Sequence, residues 1–192
     1  MKVRITHQAF TFEFPAKLEP EWKSKVERWY QLDAAAYGLA EAYWQWRMTL
    51  KNRPDFLIMA SPSASNVTDL SFAQTGASSP QKFVHTLPNI RAASLCQVME
   101  WAGPLLCLQN GEQTIFSALR EAADLVSSEL KVVWVMSVVD SEIHWFELSH
   151  ATNDQTAFNL DEIGKNSEVG LAGAPTDLYV ISWLKKKRTE AR

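Results

Sequence analysis

Cysteine is scarce in this chain: only Cys96 and Cys107 occur among 192 residues, and each lies in an apolar stretch. A disulfide framework is excluded, two buried free thiols are expected, and a cytoplasmic location is the matching expectation. Long apolar runs are missing too. No stretch reaches the roughly 18 residues of a membrane span. The alternating start Met1-Lys-Val-Arg-Ile-Thr-His7 has no apolar region of the signal-peptide kind. Excess positive charge is also lacking: a net charge of −3 and a pI near 5.8 give no footprint for nucleic acid. The one basic cluster, Lys185, Lys186, Lys187 and Arg188, is expected to be solvated. No pair among His7, His85, His144 and His150, alone or with the cysteines, has metal-ligand spacing. Neither a Gly-x-Ser-x-Gly elbow nor a Gly-rich phosphate loop occurs. No metal and no cofactor are expected.

What is present is an ordinary globular composition, 46% hydrophobic and 21% charged, with enough chain for one sizeable core, so residues 1–192 are expected to form a single domain. Residues 2–14 alternate and predict one strand or a bent pair closed by Pro15. Glu19-Pro20-Glu21-Trp22 opens a helical stretch to about Leu50, either continuous or broken near Gln31–Asp33. Three apolar runs follow, near 55–60, 104–109 and 131–139, each of the kind buried on both faces of a parallel sheet. Helical patterns lie between them, at 67–76, 89–102 and from Asn110–Gln113 to about Ser128. Asn66 and Asn110 are the expected N-caps, Asn110 with Gln113 in a variant capping box. Residues 143–148 are a candidate strand, and Asp177–Leu184 predicts the last one. Strands alternating with helices predict a layered α/β domain with a mostly parallel sheet.

Three segments resemble the N-terminal domain of β-ketoacyl synthases, in the thiolase-like superfamily. They are Phe56-Leu-Ile-Met-Ala-Ser-Pro62, Ser79-Pro80-Gln-Lys-Phe83-Val-His85-Thr86-Leu-Pro88-Asn89-Ile-Arg-Ala92, and Gly103-Pro104-Leu-Leu-Cys-Leu-Gln-Asn-Gly111-Glu112-Gln113-Thr114-Ile-Phe116. The resemblance spans roughly residues 30–140, rests on the order of these segments, and is closest to divergent ketosynthase-like proteins of bacterial fatty-acid, polyketide and aryl-polyene synthesis. It implies a thiolase-like half: a five-stranded mixed sheet, its last strand antiparallel, flanked by helices on both faces. The five expected strands are those near 3–12, 55–60, 104–109, 131–139 and 177–184.

In active ketosynthases the nucleophilic cysteine opens the helix after the third strand, where free amides and the helix dipole favour a thiolate. An ungapped match from Pro104 puts Glu112 at that position. Cys107 falls inside the strand, and Gln113 lies one residue late for the glutamine that some relatives carry there. His144 and His150 lack the histidine-glycine-threonine context of the family's second half. The resemblance therefore implies a non-catalytic auxiliary or interaction subunit. Its expected partners are a ketosynthase subunit, an acyl carrier protein or both, with a homodimer as another assembly, and neither nucleic acid nor membrane. The alternatives are an enzyme of altered chemistry working through Glu112 or Gln113 on carrier-bound acyl or malonyl groups, and a stand-alone binder of a small acyl ligand. Other polar candidates have simpler structural roles: Asn110 and Gly111 as cap and turn, His85 and Asn89 as turn and cap, and Ser61, Ser63 and Ser65 as a polar loop. The aromatic group Trp22, Trp29, Tyr30, Tyr43, Trp44 and Trp46 is expected to be mostly core, with any exposed members marking a partner surface.

Overall fold

The computed structural model describes residues 2–16, 18–62, 66–74, 88–128, 130–139, 141–151, 158–160, 163 and 176–190. Strands β1 (Lys2–Thr11), β2 (Phe56–Ala60), β3 (Leu105–Leu108), β4 (Val132–Val139), β5 (Glu142–His150) and the two-residue β6 (Phe158–Asn159) form one sheet. Their spatial order is β3-β2-β4-β5-β1-β6. β2 lies parallel to β3 and β4, with Leu57 opposite Leu105 and Ile58 opposite Val135. β5 runs antiparallel to β4 and β1, with Phe146 opposite Val135 and His7. The sheet is thus mixed, with five full strands.

Side-chain alternation gives the sheet two apolar faces. On one, Ile58, Ala60, Val133, Val135, Phe146, Leu148, Val3 and Ile5 pack beneath helices α4 (Thr114–Ser128) and α5 (Asp177–Glu190). On the other, Leu57, Met59, Trp134, Met136, Ile143 and Trp145 pack beneath α1 (Ala34–Trp46) and α3 (Pro88–Met99). A shorter helix, α2 (Asn66–Gln74), follows β2. In α4 the buried residues Ile115, Ala118, Leu119, Ala122, Ala123 and Val126 recur at helical spacing. Its three alanines let the helix lie close to the sheet, while Leu119 and Ile115, fully buried, each stabilise the packing by about 1.5–3 kcal/mol.

Two expectations change, and the alternative left open after Pro20 falls on the broken form. The stretch after Pro20 is not one long helix: 3-10 turns at Glu21–Ser24 and Trp29–Gln31 precede α1. The break falls at Asp33, whose carboxylate accepts the Ala36 amide at 2.7 Å as a true N-cap. Residues 177–184 are helix α5, not the fifth strand. Asp177, Val180, Ile181 and Leu184 are the buried positions, a spacing of three and four that buries one helix stripe, whereas a strand would bury every second residue. The place of that strand is taken by β5, the candidate at 143–148, which runs antiparallel to both its neighbours. The cysteines are half-buried rather than fully buried. Trp22 is fully buried, while Tyr30 is 66% exposed.

Candidate functional site

The third parallel strand leads directly to the candidate site. After Leu108 the chain passes through Gln109 and Asn110 into a 3-10 turn, Gly111–Gln113, and then into α4. Gly111 has φ +53, a left-handed conformation that glycine adopts without a Cβ penalty. Thr114 ties the turn together: its hydroxyl accepts the Asn110 amide and donates to the Gly111 carbonyl, both at 2.7 Å. Glu112 is exposed and Gln113 half-buried, and the Gln113 amide donates to the Asn110 carbonyl at 3.1 Å.

Asn110 does not cap the helix. Its side chain makes no cap hydrogen bond; the amide nitrogen donates instead to the Ser117 hydroxyl at 2.8 Å. The cap comes from the far end of the chain. Asp177, the first residue of α5, accepts the Ile115 amide at 2.7 Å and the Phe116 amide at 3.3 Å through Oδ1. Only 6% of Asp177 is exposed, and its Oδ2 is buried with no hydrogen-bond partner among the described residues. Burial pushes its pKa up to about 6, against the lowering effect of the Ile115, Phe116 and Thr114 amides and with the help of the Glu112 charge. Sequence reasoning missed Asp177 because it took residues 177–184 for a strand. The available signal was the three-four spacing of Val180, Ile181 and Leu184 behind it.

At the C-terminal ends of β2 and β3 a cleft of about 240 Å³ is lined by Met59, Ser61, Asn89, Cys107, Leu108 and Gln109. This is the end of a parallel sheet where ligand sites form in α/β proteins. Cys107 faces it from within the strand, as expected. Burial raises the Cys107 thiol above its ordinary pKa, with a further push from Cys96, and burial raises Cys96 as well, so both stay protonated and weakly nucleophilic near neutral pH. Ser61 is buried and Asn89 exposed. His85, Ser63 and Ser65 lie outside the described residues.

The described histidines, His7, His144 and His150, lie on β1 and β5. His144 is buried on β5, shares a hydrogen bond with His7 at 3.2 Å, and lies 3.4 Å from Glu142. Burial lowers its pKa, with Glu142 opposing and Lys185 assisting. His7 stacks on Phe146 as well as on His144. His150 ends β5 at an exposed position. Among the described residues no group of three or more His, Cys, Asp or Glu side chains could hold a metal ion. Among them, too, no helix is long and apolar enough to cross a membrane.

No protein-family model matches the chain, and no curated protein does. A solved structure does: the ketosynthase ApeO in complex with its chain length factor ApeC, from Xenorhabdus doucetiae. The match has a TM-score of 0.59 and 14% sequence identity, and covers 79% of this chain and 80% of that one, so the two matched chains are close in length. In this chain the matched fold is a mixed sheet between two helical layers, with β5 antiparallel to both its neighbours. The chain shares the fold of that ketosynthase structure.

Proposed function

We propose that the chain is a non-catalytic ketosynthase-like subunit that pairs with an active ketosynthase, or with the acyl carrier protein it serves, in bacterial fatty-acid, polyketide or aryl-polyene type synthesis. The observation that carries this reading is the state of β3. It is an edge strand, bonded to β2 alone among the described strands, and its four residues, Leu105, Leu106, Cys107 and Leu108, are all half-exposed. An apolar edge with unpaired backbone groups is a template for another strand, and proteins keep such an edge where a partner covers it. Ketosynthases resembling this chain pair through the corresponding strand, and the matched structure is itself a complex of a ketosynthase with its chain length factor.

The start of α4 supports the non-catalytic part. Glu112 stands exposed where the resemblance places the nucleophile, and a carboxylate there is a poor acyl acceptor from a thioester because the mixed anhydride would be less stable than its source. Co-expression of the tagged chain with the ketosynthase and carrier protein encoded nearest to it tests the proposal. A stoichiometric complex on purification is the expected result; recovery of the chain alone, with both candidates expressed and folded, contradicts it.

A second reading rests on the cleft beside Cys107. Its apolar walls, Met59 and Leu108, and its polar rim, Ser61, Asn89 and Gln109, suit a small acyl ligand, on which Glu112 or Gln113 would act if altered chemistry occurs. Turnover of acyl or malonyl thioesters that is lost in Glu112→Ala or Gln113→Ala would favour that reading over the first.

A further inference from the structure

A second cleft lies at the opposite end of the sheet from Cys107. Where α1 and α3 end, and near the starts of β2 and β4, a space of about 210 Å³ opens between Tyr43, Arg47, Leu50, Met99 and Trp134, and Arg53 borders it from the α1–β2 connection. Its floor is apolar: Trp134 is buried, and Leu50 and Met99 are half-buried beside it. Its rim is cationic, because Arg47 and Arg53 line it and no acid does. Arg47 is stacked on Trp44, its guanidinium carbon 3.7 Å from the ring centroid, and one of its N–H groups donates to the Trp44 carbonyl. Those contacts hold the guanidinium in place and leave other donors of its fork unused among the described residues. Arg53 is exposed and has no hydrogen bond or ion pair among them. The bordering carboxylates are engaged by other groups. Glu100 pairs with Lys25, with a weaker pull from Arg53. Glu147 accepts the Asn52 side-chain amide at 2.8 Å and the Trp134 indole N–H at 3.3 Å.

We propose that this cleft binds a small monocarboxylate with an apolar body, an aromatic or short-chain acid. Arg47 and Arg53 hold its carboxylate, and Leu50, Met99 and Trp134 receive its body. The guanidinium fork matches a carboxylate in shape and charge, and an apolar hollow with a few polar groups at one side is the form of a small-ligand site. The charge of the site selects a monoanion. The C-terminal ends of α1 and α3 meet the cleft, each carrying roughly half a negative charge. They offset part of the arginine charge, which disfavours a doubly charged phosphate. The size selects a short body: the cleft is smaller than the roughly 300–1,000 Å³ of drug-sized sites, so it takes a single ring or a short chain. The proposal rests neither on pairing through β3 nor on the cleft beside Cys107.

The test is a titration of the full chain with phenylacetate, followed by the indole N–H resonance of Trp134, and repeated with the neutral phenylacetamide. The acid is expected to shift that resonance saturably and to bind at least about tenfold more tightly than the amide, which cannot form a charge-assisted pair with arginine. Arg53→Gln and Arg47→Gln are each expected to weaken acid binding at least about fivefold and to leave amide binding unchanged. No saturable shift with the acid, equal affinity for acid and amide, or acid binding that both arginine variants leave intact overturns the proposal. Should Arg47→Gln disturb the packing on Trp44, the exposed Arg53 supplies the variant, and the comparison of acid with amide on the wild type needs none.

Discussion

Asp33 is the residue on which the α1–α3 layer turns. One carboxylate oxygen caps α1 through the Ala36 amide at 2.7 Å, and the other receives the Arg91 guanidinium of α3 at 3.1 Å. Ser94, one turn beyond Arg91, donates its hydroxyl to the Ala36 carbonyl at 2.7 Å, so three polar groups dock the start of α1 against α3. The Asp33 and Arg91 side chains are 15% and 8% exposed, and removing one partner of so enclosed a pair is costly because the other charge keeps its desolvation penalty. Asp33→Ala is expected to lose about 3 kcal/mol of unfolding free energy, combining a missing cap with a weakened ion pair. Asp33→Asn, which keeps the cap, should lose about half of that. Urea unfolding of the two variants checks the ranking, and equal losses would show that the charge paired with Arg91, not the cap, is what matters.

At the scale of elements, the α4–α5 junction is the informative one, and it titrates. The folded pKa of Asp177, about 6, lies above the ordinary 3.8, so its buried carboxyl favours the folded chain while protonated. That contribution is complete below about pH 4 and is lost as pH rises through about 6, at most about 3 kcal/mol in all. Buried His144 acts in the opposite sense. Its pKa is lowered from 6.5, so its contribution is present above that value and is lost as pH falls toward the folded pKa. Comparing wild type with Asp177→Asn cancels the histidine. Between pH 4 and 7 the wild type should lose stability relative to the variant; a difference independent of pH would mean that Asp177 is ionised throughout that range.

The same junction shows what a sequence withholds. β2, β3 and β4 were legible because Phe56–Ala60, Leu105–Leu108 and Val132–Val139 are continuous apolar runs, the pattern of strands covered on both sides. β5 was only half visible, since Glu142, His144, Glu147 and His150 interrupt it, and these polar residues are accommodated by partners elsewhere: His144 by His7, and Glu147 by Asn52 and Trp134. α5 was misread because Leu178–Leu184 is rich in aromatic and β-branched residues, and strand propensity depends on context. The candidate positions Glu112 and Gln113 were found from the strand-to-helix junction, but the carboxylate seated on α4 belongs to Asp177, and no local pattern announces a cap that arrives from 62 residues away.

For the whole molecule, the sheet's two edges differ. On the β1 side a short β6 adds to the edge, whereas on the other side β3, bonded to β2 alone among the described strands, presents four half-exposed apolar residues. If the chain is a pairing subunit, that difference is its purpose: β3 is the side on which the sheet continues into a partner. The most direct measurement is hydrogen exchange on β3 with and without a candidate ketosynthase partner, the one encoded nearest to the chain. The account predicts that the Leu105–Leu108 amides not bonded to β2 exchange at least about tenfold more slowly in the complex, while the Ile115 and Phe116 amides, already seated on Asp177, change little. A complex that leaves the β3 amides as fast as in the free chain would contradict it.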